Sequence, residues 1–463
     1  MQELPTNGAC IVPKMRRSLF WKRQRQMDSA FTQNFDDPSG WSARHIVRMI
    51  SSGDIATAEV LQACLGRIAR LESRTKAWVH IDADGAAVAA RAVAPGPLRG
   101  VPVAVKDVID VAGMPTGMGS PIYRDYRPLA DAACIAALRS AGAIILGKTV
   151  TAEFAGITPG PTIHPAAPAH TPGGSSSGSA AAVAAGMVPL ALGTQTGGSV
   201  IRPAAFCGIV GFKPSFGLIN RAGLKFAAES FDTIGLMARD VDDVALVWSV
   251  LGGGSPALVP LTQPPRLAIF RTHRWDRAEP ETVAQFESVA RELQACGARI
   301  EELAVPDGFD ALSEARAVIN NYERARALAW EWQQHRDLIS PRLQRVISDG
   351  FSRSFESYCE AQRLAERWRC WLDDTLSRFD AIMTPATNGP APEGLESTGD
   401  PAFQEIWTVL HTPTITLPLA RAANGLPLGV QFVGARRADD HLLGVASWVG
   451  DAARLAPSGP TKD

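Results

Sequence analysis

Two serines and one lysine provide the residue types needed for acyl-transfer chemistry. Ser175 lies in the glycine- and serine-rich run 173–179, and Ser199 ends a second glycine-rich run, 193–199. Lys106 lies upstream, directly after a short apolar run. A serine hydroxyl is a weak nucleophile until a neighbouring group takes its proton. The combination predicts acyl transfer in which one serine attacks, the other relays its proton, and lysine replaces histidine as the base.

Lys106 can act as a base only in its neutral form. The pKa of an unperturbed lysine is about 10.4, so a base at neutral pH requires a decrease of roughly 3 units. Burial provides such a decrease because it disfavours the charged form, and the residues before Lys106 are apolar. Asp107 follows directly, but successive strand side chains point to opposite faces, so Asp107 need not pair with Lys106. An ordinary Lys-Asp pair at a strand edge is the structural alternative.

The second glycine-rich run predicts a site for the negative charge that develops during acyl transfer. The backbone N–H groups of Thr196, Gly197, Gly198 and Ser199 would face the developing oxyanion. Glycines are expected here because they allow positive φ angles and close approach of a substrate. For 173–179 the alternative is a flexible Gly/Ser linker. We favour a site, since that run leads directly into an Ala-rich helix and a buried strand.

Other patterns in the chain resemble sites with different chemistry. Residues 142–149 match the phosphate-binding P-loop, which needs a strand before its first glycine, whereas here a helix precedes and the middle is itself a strand. Residues 174–178 fit a nucleophile elbow, which needs a strand immediately upstream, but 165–172 is polar and proline-rich. His164 and His170, in the same loop, are interpreted as solvated loop residues rather than as a catalytic base.

Composition excludes several classes of function. The chain has 463 residues, 46% hydrophobic and 20% charged, which is typical of a globular protein. A net charge of −1 gives no electrostatic reason to expect a nucleic acid or an anionic membrane as partner. The longest helix-like apolar run, 180–192, is too short to span a bilayer. Seven cysteines without a CxxC pair indicate neither disulfides nor a zinc site, so a cytoplasmic location is expected. Cys207 is interpreted as a small buried apolar residue.

The elements that position the candidate residues are predicted as alternating strands and helices. Strands are predicted at 101–105, 143–146 and 189–192, with helices at 130–140 and 179–185. Strands that are apolar throughout, separated by helices of small residues, indicate a mostly parallel sheet buried on both faces. We therefore expect an α/β fold.

The second half of the chain is predicted to contain a largely helical insertion at about 265–400. Residues 281–297 and 311–378 have the pattern of long charged helices. Strand patterns return at 414–418 and 428–433, so the C-terminal part is expected to rejoin the sheet.

The N-terminal region is expected to lie outside the main domain. Residues 1–41 are basic without an apolar signal-peptide core, and are predicted to be a flexible tail or an extension upstream of a start at Met27. Ser42 is suited to cap a first helix and Thr57 to open a second. A single domain is predicted for 42–463.

The motifs together resemble those of the amidase signature family. The resemblance runs from about residue 42 to 455, and its motifs are 100–107, 173–186, 193–199, 206–214 and 425–431. It implies Ser199 as the nucleophile, Ser175 as a bridging serine reached through a cis peptide bond, and Lys106 as the general base. The amides of 196–199 would be the oxyanion donors.

The resemblance also implies a fold, an activity and partners. The fold would be a large, mostly parallel, mixed and twisted sheet covered by helices on both faces. The activity would be hydrolysis of a linear carboxylic amide, with no metal or organic cofactor, and many members are homodimers. The alternatives are an amidotransferase A-type subunit working in a multi-subunit complex, and a non-catalytic binding protein on the same fold.

Two positions depart from the family pattern. Gln195 stands where the family usually has Asp, and Ile201 where it has Arg, with Arg202 one place later. In the usual pattern the two charges can pair across the oxyanion loop. Losing both together avoids an orphaned buried charge, which would be costly, so we expect the two serines and the lysine to keep their arrangement.

Overall fold

An eleven-stranded sheet runs through the protein, seen in a computed structural model that describes residues 37–255 and 257–455. Its strands are β1 (Trp78–Ile81), β2 (Pro102–Lys106), β3 (Ile144–Thr149), β4 (Leu190–Gln195), β5 (Val210–Lys213), β6 (Thr233–Ala238), β7 (Arg266–Phe270), β8 (Arg299–Leu303), β9 (Ala381–Pro385), β10 (Thr414–Arg421) and β11 (Pro427–Val433). Along the sheet their order is β1-β3-β2-β4-β6-β5-β10-β11-β9-β7-β8.

The sheet is mixed, as predicted, but it is not mostly parallel. β2 pairs in parallel with β3 and β4, and β7 with β8 and β9. The other six neighbouring pairs are antiparallel. The prediction failed because it rested on the helix-connected strands, which run parallel, while β10 and β11 are joined by a short turn that makes them an antiparallel hairpin.

Helices cover both faces of this sheet. They are α1 (Ala43–Ser52), α2 (Thr57–Thr75), α3 (Ala83–Arg91), α4 (Ala133–Ser140), α5 (Ser177–Ala184), α6 (Ile201–Cys207), α7 (Val241–Leu251), α8 (Pro280–Ala295), α9 (Ala311–Ala327), α10 (Ala329–Gln334), α11 (Pro341–Ser352), α12 (Phe355–Leu376), α13 (Glu405–Val409) and α14 (Asp439–Leu455). None of the helices in the described ranges is both long and apolar enough to cross a membrane.

Strand β2 shows how the two faces are filled. Val103 and Val105 pack into the cluster that includes α1, α4 and α7, whereas Ala104 packs into the opposite cluster with α2, α3 and α5. Side chains alternate along a strand, so Lys106 lies on the α5 side, with Ala104. This alternation points the lysine toward the segment that leads into α5.

The N-terminal helices begin where predicted. Ser42 caps α1 by accepting a hydrogen bond from the backbone N–H of His45, and Gly53 ends the helix with a φ of 83°. α2 begins at Thr57. Of the predicted basic tail, residues 1–36 lie outside the described residues, while Pro38–Gly40 forms a 3-10 turn.

The predicted helical insertion also contributes strands. Besides α8 to α12, the segment at about 265–400 provides β7, β8 and β9, which extend the same sheet. The segment is therefore part of the central layer as well as of its helical cover. The C-terminal hairpin joins the sheet beside β5 and β9, as the strand patterns predicted.

Candidate active site

Lys106 is fully buried at the end of β2 and contacts one of the two candidate serines. Its Nζ donates hydrogen bonds to Ser175 Oγ (2.7 Å), Thr194 Oγ1 (2.7 Å) and the Thr194 carbonyl oxygen (3.4 Å). Burial lowers the pKa of Lys106 to about 7, although the Asp232 carboxylate acts to raise it and the Arg324 guanidinium lowers it further. The lysine can thus lose its proton near neutral pH, as its proposed role as a base requires.

Asp107 points away from Lys106 and pairs with a different lysine. Asp107 Oδ1 lies 3.1 Å from Lys148 Nζ, and its Oδ2 accepts a hydrogen bond from the Gly117 N–H (3.0 Å). Lys148 also donates to Thr116 Oγ1 (2.6 Å). Lys148 is the lysine of the P-loop-like pattern, and its place in β3 confirms that this pattern is a strand rather than a phosphate-binding loop.

The segments that carry the two serines lie against each other. The Gly174–Ser175 peptide bond is cis, as the resemblance implied. The next residue, Ser176, donates its backbone N–H to the Ser199 carbonyl oxygen (3.4 Å). The Ser176 hydroxyl donates to the Thr194 carbonyl oxygen and accepts from its N–H (3.2 Å each). The structure therefore brings Lys106, Ser175 and the backbone at Ser199 together at the ends of β2 and β4.

Three non-glycine residues near Ser175 have left-handed backbone conformations: Met118 (φ 56°), Phe154 (φ 46°) and Ala155 (φ 53°). Phe154 donates its N–H to the Met118 carbonyl oxygen (2.8 Å), and Ala152 donates to the Ser175 carbonyl oxygen (3.1 Å). Such conformations are rare outside glycine and cluster at functional sites. The sequence carries no signal for them, because none of the three is a residue type that favours positive φ.

The predicted oxyanion loop is anchored by a buried carboxylate that sequence reasoning missed. Thr196 donates its hydroxyl to Asp232 Oδ1 (2.5 Å), and Asp232 Oδ2 accepts the N–H groups of Ala227 (2.6 Å) and Ala228 (3.1 Å). Burial raises the pKa of Asp232, while the Thr196 hydroxyl and the two N–H groups act to lower it. Asp232 lies 36 positions from Thr196, so only the fold reveals the pairing.

Close packing, rather than positive φ, explains the glycines of the predicted oxyanion loop. Neither Gly197 nor Gly198 is among the residues with positive φ, so that part of the expectation is wrong. A methyl group on Gly198 would overlap the side-chain oxygen of Gln404 and lie 2.9 Å from Arg202 Nη1. A methyl group on Gly197 would lie 2.9 Å from Arg316 Nη2. The lack of space around the loop is therefore what requires glycine at these two positions.

The two departures from the family pattern are accommodated without an isolated charge at either position. Ile201 is fully buried in a small apolar cluster with Ala205 and Ala386. Gln195 is also fully buried, and its side-chain oxygen accepts hydrogen bonds from the backbone N–H groups of Val200 (2.9 Å) and Ile201 (3.1 Å). A neutral amide and an apolar side chain thus occupy positions 195 and 201. This agrees with the expectation that losing the usual Asp and Arg together leaves no unpaired buried charge there.

Two other residues considered in the sequence analysis, His164 and Cys207, have structural roles. His164 is buried rather than solvated, which corrects the prediction, and its ring contacts the Phe206 carbonyl oxygen and accepts the N–H groups of Ala166 and Ala167. Both ring nitrogens are thus occupied. Burial raises the pKa of Cys207, which disfavours the reactive thiolate. Within 37–255 and 257–455 no group of three or more His, Cys, Asp or Glu residues is placed to hold a metal ion.

Known proteins share this fold and are similar in sequence over most of this chain. The family model for Amidase matches residues 59–443. The A subunit of the glutamyl-tRNA(Gln) amidotransferase of Salinispora tropica is 32% identical over 89% of this chain and 97% of its own length. A solved amidase has a TM-score of 0.81 and 30% identity, covering 89% of this chain and 99% of its own. The native peptide amidase of Stenotrophomonas maltophilia has a TM-score of 0.76 and 27% identity, covering 90% and 97%.

The mixed sheet, its helical cover and these matches define an α/β enzyme that acts on amide C–N bonds. The chain belongs to the amidase family, whose members carry the amidase signature.

Proposed function

We propose that this protein hydrolyses a linear carboxylic amide through an acyl-enzyme on Ser199. The observation that supports the proposal is the buried Lys106 amine, 2.7 Å from Ser175 Oγ, with a pKa lowered to about 7. A base is most effective when its pKa lies near the working pH. Ser175 would pass the proton of the attacking Ser199 hydroxyl to Lys106.

The proposed bond changes assign each of these residues a step. The Ser199 oxygen attacks the amide carbon, and the carbonyl oxygen becomes an oxyanion facing the N–H groups of Thr196, Gly197, Gly198 and Ser199. Collapse breaks the C–N bond, and the amine leaves with a proton returned through the bridging serine. Water then attacks the ester and passes one proton through Ser175 to Lys106. The C–O bond to Ser199 breaks, Ser199 regains that proton by the same route, and the released acid ionises to the carboxylate.

A second candidate function is the glutaminase role of an amidotransferase A-type subunit. The curated relatives favour it, since those from Salinispora tropica and Symbiobacterium thermophilum, 32% and 33% identical, are both named as the A subunit of glutamyl-tRNA(Gln) amidotransferase. Both candidates need the same acyl-enzyme chemistry. They differ in whether the chain works alone, on a small amide, or only with partner subunits and tRNA.

The test is an amide-panel assay of the purified chain. Ser199→Ala is expected to lower kcat by about 10⁴-fold or more, because a catalytic unit loses nearly all its effect with its nucleophile, and Lys106→Ala by several orders of magnitude. Ser177→Ala is the matched control. Ser177 is also a buried serine in the same run, but its hydroxyl donates to Thr162 Oγ1 (3.1 Å) and not to an assigned catalytic residue. Full activity in Ser199→Ala or Lys106→Ala would refute the assigned roles.

Two further measurements separate the alternatives. Ammonia release that appears only with partner subunits and tRNA would favour the amidotransferase role. Covalent labelling of Ser199 by a fluorophosphonate would exclude a non-catalytic binding protein.

We also propose that the protein is a cytoplasmic homodimer with one domain over 42–463 and no cofactor. Size-exclusion chromatography with light scattering tests the dimer.

A further inference from the structure

The amide of Gln195 has an orientation fixed by its neighbours. Its Oε1 faces the backbone N–H groups of Val200 and Ile201, which can only donate, so this end must be the oxygen. Its Nε2 therefore points to the opposite side, where it donates to Thr408 Oγ1 (3.1 Å). A carboxylate at this position could not make the second contact as a donor.

The Thr408 hydroxyl continues the chain of hydrogen bonds to the oxyanion loop. It donates to the Gly197 carbonyl oxygen (2.9 Å) while it accepts from Gln195. A hydroxyl has one hydrogen, and because Gln195 supplies a donor, that hydrogen is free for Gly197. Gln195 and Thr408 are 0% and 1% exposed, so these contacts are shielded from bulk solvent.

Holding the Gly197 carbonyl determines where the next N–H points. The peptide unit between Gly197 and Gly198 is planar, and in a trans peptide the C=O and N–H are directed oppositely. Because the Gly197 oxygen points to Thr408, the Gly198 N–H points away from it. The following peptide is held similarly, since the Gly198 carbonyl accepts the Arg202 N–H (2.9 Å). The orientations of the 197–198 and 198–199 peptide units are thus both fixed by hydrogen bonds to their carbonyl oxygens.

We propose that Thr408, oriented by Gln195, is a positioning residue that aims the Gly198 N–H at the oxyanion. This inference rests on the proposed function, because it assigns Gly198 as an oxyanion donor. It also explains how the loop is held without the usual Asp. Gln195 and Thr408 form a matched pair, since a carboxylate at 195 would take the single hydroxyl hydrogen away from Gly197.

The first test is kinetic. Thr408→Val is expected to lower kcat by about 10- to 100-fold with little change in KM, since loss of a whole oxyanion donor costs about 10²- to 10³-fold. Thr408→Ser keeps the hydroxyl and is expected to restore activity. Thr375→Val is the matched control: this buried threonine donates to the Trp371 carbonyl oxygen in α12 (2.8 Å). Unchanged kcat in Thr408→Val would overturn the proposal.

The second test uses pH. Gln195→Glu introduces a carboxylate that accepts the Thr408 hydrogen, so activity is expected to fall when the carboxyl is ionised. Protonation gives the carboxyl a donor again, so the ratio of variant to wild-type kcat is expected to rise as pH decreases. The same ratio for Thr408→Val should stay constant. A ratio for Gln195→Glu that is independent of pH would contradict the matched pair.

Crystal structures of Thr408→Val and wild type separate this inference from the proposed function. The Gly197–Gly198 peptide is expected to turn, or to adopt two orientations, in the variant. If it keeps its orientation, the positioning role is overturned whether or not any amide is cleaved. If it turns while the wild type cleaves no amide, the positioning role stands and the proposed function fails.

Discussion

Arg202 donates a hydrogen bond through Nη2 to the carbonyl oxygen of Gly174 (2.8 Å), the residue joined to Ser175 by a cis peptide bond. The same guanidinium donates through Nε to the Thr398 carbonyl oxygen (2.6 Å) and through Nη1 to Gln404 Oε1 (3.4 Å). The buried Arg202 side chain therefore connects α6, which follows the proposed nucleophile, to two other segments. These are the segment of the proposed bridging serine and the loop before α13.

Replacing Arg202 by lysine should loosen this connection. An ammonium group cannot reproduce the planar fork, so at least one carbonyl is left without its donor, at a cost of about 1–3 kcal/mol in the free energy of unfolding. We expect a lower Tm and a lower kcat/KM, measured by thermal unfolding and an amide assay. Arg139→Lys, at a partly exposed ion pair with Asp131, is the control. Equal effects of the two substitutions would contradict the assignment.

The pH dependence of kcat/KM should report the titration of Lys106. Its pKa is lowered to about 7 by burial, and the neutral amine is the proposed base. Activity should thus fall about tenfold per pH unit below that value and level off above it, since kcat/KM reports groups of the free enzyme. The measurement uses an uncharged amide substrate across the acidic and neutral range.

Lys213 offers a matched control for this profile. Burial lowers the pKa of Lys213 to about 7 as well, but this lysine donates to the carbonyl oxygens of Pro214 and Thr412 instead. Lys213→Met should therefore keep the wild-type profile. A flat wild-type profile, or a profile that moves with Lys213, would rule out Lys106 as the titrating base.

Two neighbouring glycines should respond differently to alanine. In Gly198→Ala the methyl group meets Gln404 and Arg202, which are both buried and held by other contacts. In Gly197→Ala it meets the end of the Arg316 side chain, which is partly exposed and able to move. We expect Gly198→Ala to lower kcat/KM and Tm more than Gly197→Ala. The reverse order would show that space behind the loop is not what requires glycine.

The buried pair of Asp107 and Lys148 should be important for stability. Lys148→Met leaves the Asp107 carboxylate uncompensated, and removing one partner of a buried ion pair costs about 3–5 kcal/mol. Urea unfolding should show this loss, and a Lys148→Met/Asp107→Leu double variant should recover part of it. A loss below about 1 kcal/mol, the range of exposed pairs, would contradict the burial of this pair.

The sequence predicted those parts of the site that depend on neighbours along the chain. An apolar run before Lys106 indicates a buried strand end, and strand alternation separates Lys106 from Asp107, which the structure confirms. The glycine-rich runs indicate that backbone lies close to other groups at both serines. Helix caps such as Ser42 are equally local and were found at the predicted residues.

Contacts between distant segments could not be predicted in this way. Thr408 lies 213 positions from Gln195, and Arg202 lies 196 positions from Thr398. Nothing in the pattern around Thr408 distinguishes it from any other buried threonine, because its proposed role arises only when α13 packs against the predicted oxyanion loop. Strand direction failed for a similar reason: local patterns give strand positions, whereas pairing depends on how each connection crosses the sheet.

The position of the C-terminal hairpin has a consequence for biosynthesis. β10 and β11 lie in the middle of the sheet, with β1 to β6 on one side and β7 to β9 on the other. A chain emerging from the ribosome therefore holds both serines and the lysine well before it holds the strands that unite the halves. A premature stop before Thr414 would yield two half-sheets with unpaired edges, prone to aggregation, instead of a smaller working enzyme.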